Sequence, residues 1–162
     1  MTQNKKISCI QKRKLLLGSF LFFSFLYSLF STELFLENLG FELKGTIYQK
    51  TISASLLFGV PRRREPKTTH RAKYLKIRQK EFLDKLAVIL NSSKYSLEII
   101  AYAQGDNRWK KKRGISKIYA KKIASYLQSK GVPTKVLKPL GYGWRKYGLI
   151  LFRLKPIEPL PN

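Results

Sequence analysis

Eight cations crowd the stretch from Arg108 to Lys122: Arg108, Lys110, Lys111, Lys112, Arg113, Lys117, Lys121 and Lys122. From Ala101 to Lys155 the single acid is Asp106, and that span holds no histidine and no cysteine. Ammonium and guanidinium groups bind anions. They do not shuttle protons near neutral pH, where general acid–base catalysis uses an imidazole or a tuned carboxyl group. His70 and Cys9 are the chain's one histidine and one cysteine, and they lie far apart. That spacing speaks against a zinc cluster or a Cys–His nucleophilic pair, and a single cysteine excludes an internal disulfide. Neither a Gly-rich phosphate loop nor a serine elbow occurs. The residues therefore describe a binding protein: no enzyme, no metal and no cofactor are expected.

The whole chain carries the same bias. Its 162 residues include 33 Lys and Arg against 9 Asp and Glu, a formal charge of +24. Such an excess suits nucleic acid, phospholipid head groups or an anionic polysaccharide, although a basic run is often only a solvated face. The apolar fraction of 44% suffices for one folded core.

The elements that must position the cations follow from periodicity. Leu97–Ala103 reads as a strand buried on both faces, because its hydrophobicity is nearly continuous. Residues 104–114 read as a basic loop. Ser116 is placed to cap a helix starting near Lys117, with Ile115, Tyr119, Ala120, Ile123, Ala124 and Leu127 inward and Lys117, Lys121 and Lys122 outward. Gly131 and Pro133 end it. A second strand, Thr134–Leu140, a turn at Gly141-Tyr142-Gly143 and a third strand, Tyr147–Leu154, follow.

Upstream, alternation at Ile52, Ala54, Leu56 and Phe58 predicts a half-buried strand closed by Gly59 and Pro61. Residues 61–73 read as an exposed basic loop in which His70 is solvated. Tyr74–Asn91 reads as an amphipathic helix, with Glu81 and Lys85 as an i, i+4 ion pair. The order is β-α-β-α-β-β, an α/β (α+β) sandwich with two helices packed on one sheet, preceded by an N-terminal hydrophobic helix.

That hydrophobic segment is Leu15–Phe30, sixteen residues without charge, preceded by Lys5, Lys6, Lys12, Arg13 and Lys14. The pattern is that of a secretory signal or a signal anchor, with the N-terminus retained in the cytoplasm. Leu29 and Ser31 ahead of Thr32 make a poor cleavage site, because Leu29 is large; anchor and cleaved signal both stay open. Cys9 precedes the apolar run and reads as a reduced cytosolic thiol. The expected organisation is a signal anchor or signal peptide over 1–36, a linker over 37–44, a folded domain over 45–155 and a Pro-rich tail over 156–162.

Ile115-Ser116-Lys117-Ile118-Tyr119-Ala120 resembles the Leu-Ser-x-x-Arg-Ala helix opening of the C-terminal OmpA-like domain of bacterial envelope proteins. Tyr126-Leu127-Gln128-Ser129-Lys130-Gly131-Val132 resembles the end of the same helix, and Gly141-Tyr142-Gly143 resembles the family's Gly-x-Gly. The resemblance runs from about Gly45 to Leu154. It implies a membrane-attached, non-enzymatic tether or scaffold whose domain faces the periplasm of a bacterial envelope. Peptidoglycan or another anionic envelope polymer is the implied partner, along with other envelope proteins; in size and layout the chain looks like a small subunit of a type IVB (Dot/Icm-like) secretion system. Family members grip diaminopimelate with an Asp after the central strand and the Arg of the helix motif. The matching positions here are Gln104 and Tyr119, both uncharged, with Asp106 two residues beyond the first and Lys117 and Arg113 as nearby cations. Both charged groups of the ligand would then be desolvated without a counter-charge. The alternative is a basic α/β nucleic-acid-binding protein, with Tyr102, Trp109, Tyr142 and Trp144 interleaved among cations as stacking platforms.

Overall fold

The computed structural model describes residues 32–61, 64–92, 95–104 and 109–157, the side chains of residues 109–112 excepted. The chain divides into two compact units, Met1–Asn38 and Leu39–Asn162. Within the first, residues 32–38 form a short helix, α1. The apolar run Leu15–Phe30 lies outside the described residues. Among those that are described, no helix is long and apolar enough to cross a membrane.

The second unit contains β1 (Glu42–Lys44), β2 (Ile47–Ser53), α2 (Ala54–Phe58), α3 (Thr69–Lys73), α4 (Lys80–Ser92), β3 (Tyr95–Gln104), α5 (Trp109–Ser129), β4 (Leu137–Arg145) and β5 (Leu149–Pro156). Residues 42–44, assigned to a linker by sequence, pair with β2. The sheet order is β1-β2-β5-β3-β4, antiparallel throughout except between β3 and β4. That parallel pair needs a crossover, and α5 provides it. The mixed α/β class and the central place of β3 match the sequence reading: Leu97, Glu98, Ile99, Ile100 and Ala101 are all buried.

Helices α4 and α5 cover one face of the sheet. Phe82 of α4 meets Phe152 of β5 edge-on, with ring centroids 5.4 Å apart. Across the two helices, the Tyr126 hydroxyl donates to Asp84 at 2.8 Å and Lys130 pairs with the same carboxylate at 2.9 Å. Inward from α5 come Ile115, Tyr119, Ala120, Ile123, Ala124 and Leu127, the set that the periodicity predicts. Burying each of the large ones contributes about 1.5–3 kcal/mol. Gly131, at φ 89°, closes α5: its N–H and that of Val132 donate to Gln128 and Leu127.

Several local expectations are corrected. Ala54–Phe58 is a helix, because Ala54, Leu57 and Phe58 satisfy an i, i+3, i+4 period as well as alternation. Gly59, at φ 64°, lets its own N–H and that of Val60 bond back to Leu56 and Ser55. The basic segment 61–73 is not wholly exposed; Pro66 and Ala72 are buried and residues 69–73 are helical. The helix expected from Tyr74 begins at Lys80, because the N–H groups of Arg78 and Gln79 both donate to Leu57 O and hold residues 75–79 out of the helix. Thr134–Val136 is a 3₁₀ turn. Gly141-Tyr142-Gly143 is no chain reversal but part of β4. Ala101 pairs with Gly141 and Ala103 with Trp144, so three steps on β4 face two on β3. Gly143, at φ 97°, absorbs the extra residue as a bulge.

On the sheet face away from Phe152, Glu98 is 9% exposed and accepts from Lys155 Nζ at 2.9 Å, with Lys138 Nζ at 3.6 Å. Burial pushes its carboxyl pKa up, but the Lys155 hydrogen bond and the charges of Lys155, Lys138 and Arg153 outweigh that and hold it below the usual carboxylate range. The folded value is therefore the lower one. Glu98 stabilises the fold above the unfolded carboxylate pKa of about 4.3, and this contribution is lost as pH falls through the folded value. We predict that Glu98→Gln lowers stability at pH 7 by about 2 kcal/mol in urea unfolding, and that wild type and variant converge as pH falls below the unfolded carboxylate pKa of about 4.3.

Candidate functional site

The site expected from sequence sits where β3 ends and α5 begins. Gln104 is the last residue of β3, half-buried and in register with Arg145. Asp106 and Arg108 lie outside the described residues, and the side chains of Lys110, Lys111 and Lys112 are likewise not described. Arg113, Lys117 and Lys121 are exposed and Lys122 is half-buried.

Ser116 fixes the geometry of this corner. It is not the N-cap of α5, which already begins at Trp109, but a buried residue inside the helix. Its hydroxyl donates to Arg113 O at 3.0 Å and accepts from Gly143 N at 3.1 Å, which clasps the helix to the β4 bulge. Gly141 lets the two elements touch. A Cβ there would lie 2.5 Å from the backbone N of Lys117 and 2.7 Å from its Cα.

This clasp sets the direction of Tyr119 three residues on. Tyr119 is 1% exposed, and its ring packs against Phe58 of α2, with centroids 5.0 Å apart. Burial pushes its hydroxyl well above the usual tyrosine range, and the Glu65 carboxylate adds to the effect. The phenol is neutral at any physiological pH and keeps its proton. Glu65 is a residue the sequence reading passed over. It lies in the segment taken for a solvated loop, yet it is half-buried and its carboxylate approaches Gly148, where a Cβ would meet it at 2.7 Å. An acid followed by a proline in a basic run, Glu65-Pro66, is the only sequence signal that could have marked it. The structure thus brings together Tyr119, Phe58 and Glu65.

The predicted basic surface divides in two. Lys117 stands beside Gly141 at the β4 edge. Lys121 and Lys122 instead line a groove of about 840 Å³ between α5 and residues 73–80. On the opposite face of the sheet, Tyr102 and Tyr142 lie 6.0 Å apart with Arg145 stacked 4.3 Å over Tyr102. Among the described residues no group of three His, Cys, Asp or Glu is placed to hold a metal.

Residues 72–148, from the end of α3 to the turn before β5, match the OmpA family. No curated protein matches the chain. Among solved structures it is similar to the periplasmic domain of Helicobacter pylori MotB, with 13% identity and a TM-score of 0.54 over 72% of this chain and 78% of that one. It is also similar to a MotB-like protein from Desulfovibrio vulgaris, with 11% identity and a TM-score of 0.57 over 78% of this chain and 90% of that one. At such identities the likeness concerns the fold.

The clasp yields a test. Ser116→Ala leaves the buried Gly143 N–H without its acceptor, so stability should fall by about 1–3 kcal/mol. Gly141→Ala forces β4 and α5 apart and should cost a similar amount, about 2–3 kcal/mol, in the same unfolding titration.

Proposed function

The chain carries a divergent OmpA-like domain, and on that premise we propose that it is a non-enzymatic scaffold of the bacterial cell envelope. The domain itself speaks for a peptidoglycan-associated role in that envelope. The finer reading is ours: an anchor formed by Leu15–Phe30, the folded unit on the periplasmic side, and a tethering part in a larger envelope assembly such as a secretion system.

The observation that carries the reading is the fate of the two ligand positions. The β3-α5-β4 frame is kept, with Ser116 and Gly141 seating the helix. Within that frame Tyr119 is turned into the core against Phe58, and Gln104 carries no charge. A zwitterionic side chain entering there would meet neither a carboxylate at Gln104 nor a guanidinium at Tyr119. Bidentate recognition of a carboxylate is lost with the arginine, since a buried phenol offers neither positive charge nor a fork of donors. Association with the wall then rests on the cations around it, which include Lys117, Lys121 and Lys122. That kind of attraction is long-ranged, weakly selective and screened by salt.

Sedimentation with purified sacculi separates the two modes. Wild-type protein should pellet at about 0.05 M salt and be released by about 0.5 M, where the Debye length has shrunk to a few ångströms. Lys117→Glu with Lys121→Glu should weaken the low-salt association severalfold. Pelleting that persists in high salt and survives the charge reversals would overturn the reading. For topology, a C-terminal tag should be protected from protease in intact cells and digested in spheroplasts; protection in both would sink the periplasmic placement.

A further inference from the structure

The groove beside α5 is built from parts that the sequence keeps far apart. One wall runs from the end of α3 to the start of α4 and brings Lys73, Lys76, Arg78 and Lys80; the other is the outer face of α5, which brings Lys121 and Lys122. No acid is among the residues that line it. The nearest carboxylate named above, Asp84, is engaged by Tyr126 and Lys130. Six like charges around about 840 Å³ repel one another, so the groove is electrostatically complementary only to an anion.

Its floor is not charged. Leu75, Ile77 and Ile118 line it and are half-buried, a strip of apolar surface inside a cationic rim. This is the anatomy of a protein–protein contact, with an apolar centre and a polar edge. Strands of nucleic acid need exposed aromatic faces to stack on. The one aromatic lining the groove, Tyr126, has Lys130 placed 5.4 Å over its ring and its hydroxyl tied to Asp84. Residues 75–79 join α3 to α4, belong to no strand of the sheet, and place Leu75, Lys76, Ile77 and Arg78 along the groove.

We propose that the groove is a docking site for an extended acidic peptide segment of a partner protein. Its apolar side chains enter over Leu75, Ile77 and Ile118, and its Asp and Glu residues meet Lys76, Lys121 and Lys122. The site stands apart from the Gln104–Tyr119 corner; it shares Lys121 and Lys122 with the wall-association reading but is tested without sacculi, so either can fail alone.

The test is fluorescence anisotropy on the full chain in non-ionic detergent, against a peptide alternating Glu with Leu. A peptide of about ten residues, at ~3.3 Å per residue, is long enough to run along the groove. A Glu–Ser peptide of equal charge, single-stranded DNA and phosphatidylglycerol vesicles serve as competitors. The Glu–Leu peptide should bind about tenfold more tightly than the Glu–Ser peptide, and Lys76→Glu with Lys121→Glu should weaken it about tenfold. Lys146→Glu, an equal type of charge reversal in the turn before β5, should leave the affinity within about twofold. Ile118→Ser should abolish the preference between the peptides. The proposal is overturned if the Glu–Ser peptide binds equally well, if DNA or vesicles displace the Glu–Leu peptide at equal charge concentration, or if the groove reversals act no more strongly than Lys146→Glu.

Discussion

One hydroxyl group holds the frame on which the rest of the domain depends. Ser116 is buried, donates to its own helix at Arg113 O and accepts the N–H of Gly143 on the neighbouring strand. Gly141 makes this possible, because a side chain at that position would collide with the helix backbone at Lys117. A parallel strand pair must be joined by a crossover, and the clasp sets where that crossover helix sits on the sheet. Once it is set, helical spacing decides everything else on α5. Tyr119, Ile123 and Leu127 point inward, Lys121 and Lys122 line the groove, and Tyr126 reaches Asp84.

Charge is the second constraint. With 33 cations against 9 acids, the folded chain cannot neutralise itself, and compaction works against self-repulsion. The acids that do form ion pairs are used economically. Glu98, the most buried of them, answers Lys155 and Lys138 across adjacent strands, and Asp84 ties α4 to α5 through Lys130. What is left over is a surplus of positive charge, six cations of which line the groove between residues 73–80 and α5. An anionic environment is the natural complement of such a molecule.

The domain also separates architecture from recognition. The frame of the OmpA-like fold is kept through Ser116, the two glycines of β4 and the glycine stop of α5, all of which serve backbone geometry. On the proposed reading Gln104 and Tyr119 stand at the ligand positions without charge, and Tyr119 packs in the core with Phe58. A residue that packs with 1% exposure is a structural part of the fold, and recognition has to come from elsewhere on the surface.

The sequence by itself determined whatever depends on residue type and short-range period. The cationic excess, the poverty of acid–base groups, the two-sided burial of β3, the inward face of α5 and its end at Gly131 are of this kind. Tertiary structure decided whatever depends on a hydrogen-bond partner or a neighbour far along the chain. Ala54–Phe58 fits either period, and the bond from Ala54 N to Gly148 O helps end the strand before it. Residues 75–79 carry helical spacing, but Leu57 O captures the N–H groups of Arg78 and Gln79 and keeps them out of the helix. Ser116 reads locally as a cap, and only β4, 27 residues later, turns it into a clasp. The groove exists for the same reason. Its two walls lie some forty residues apart in the chain, and local periodicity has no term for a distance of that length.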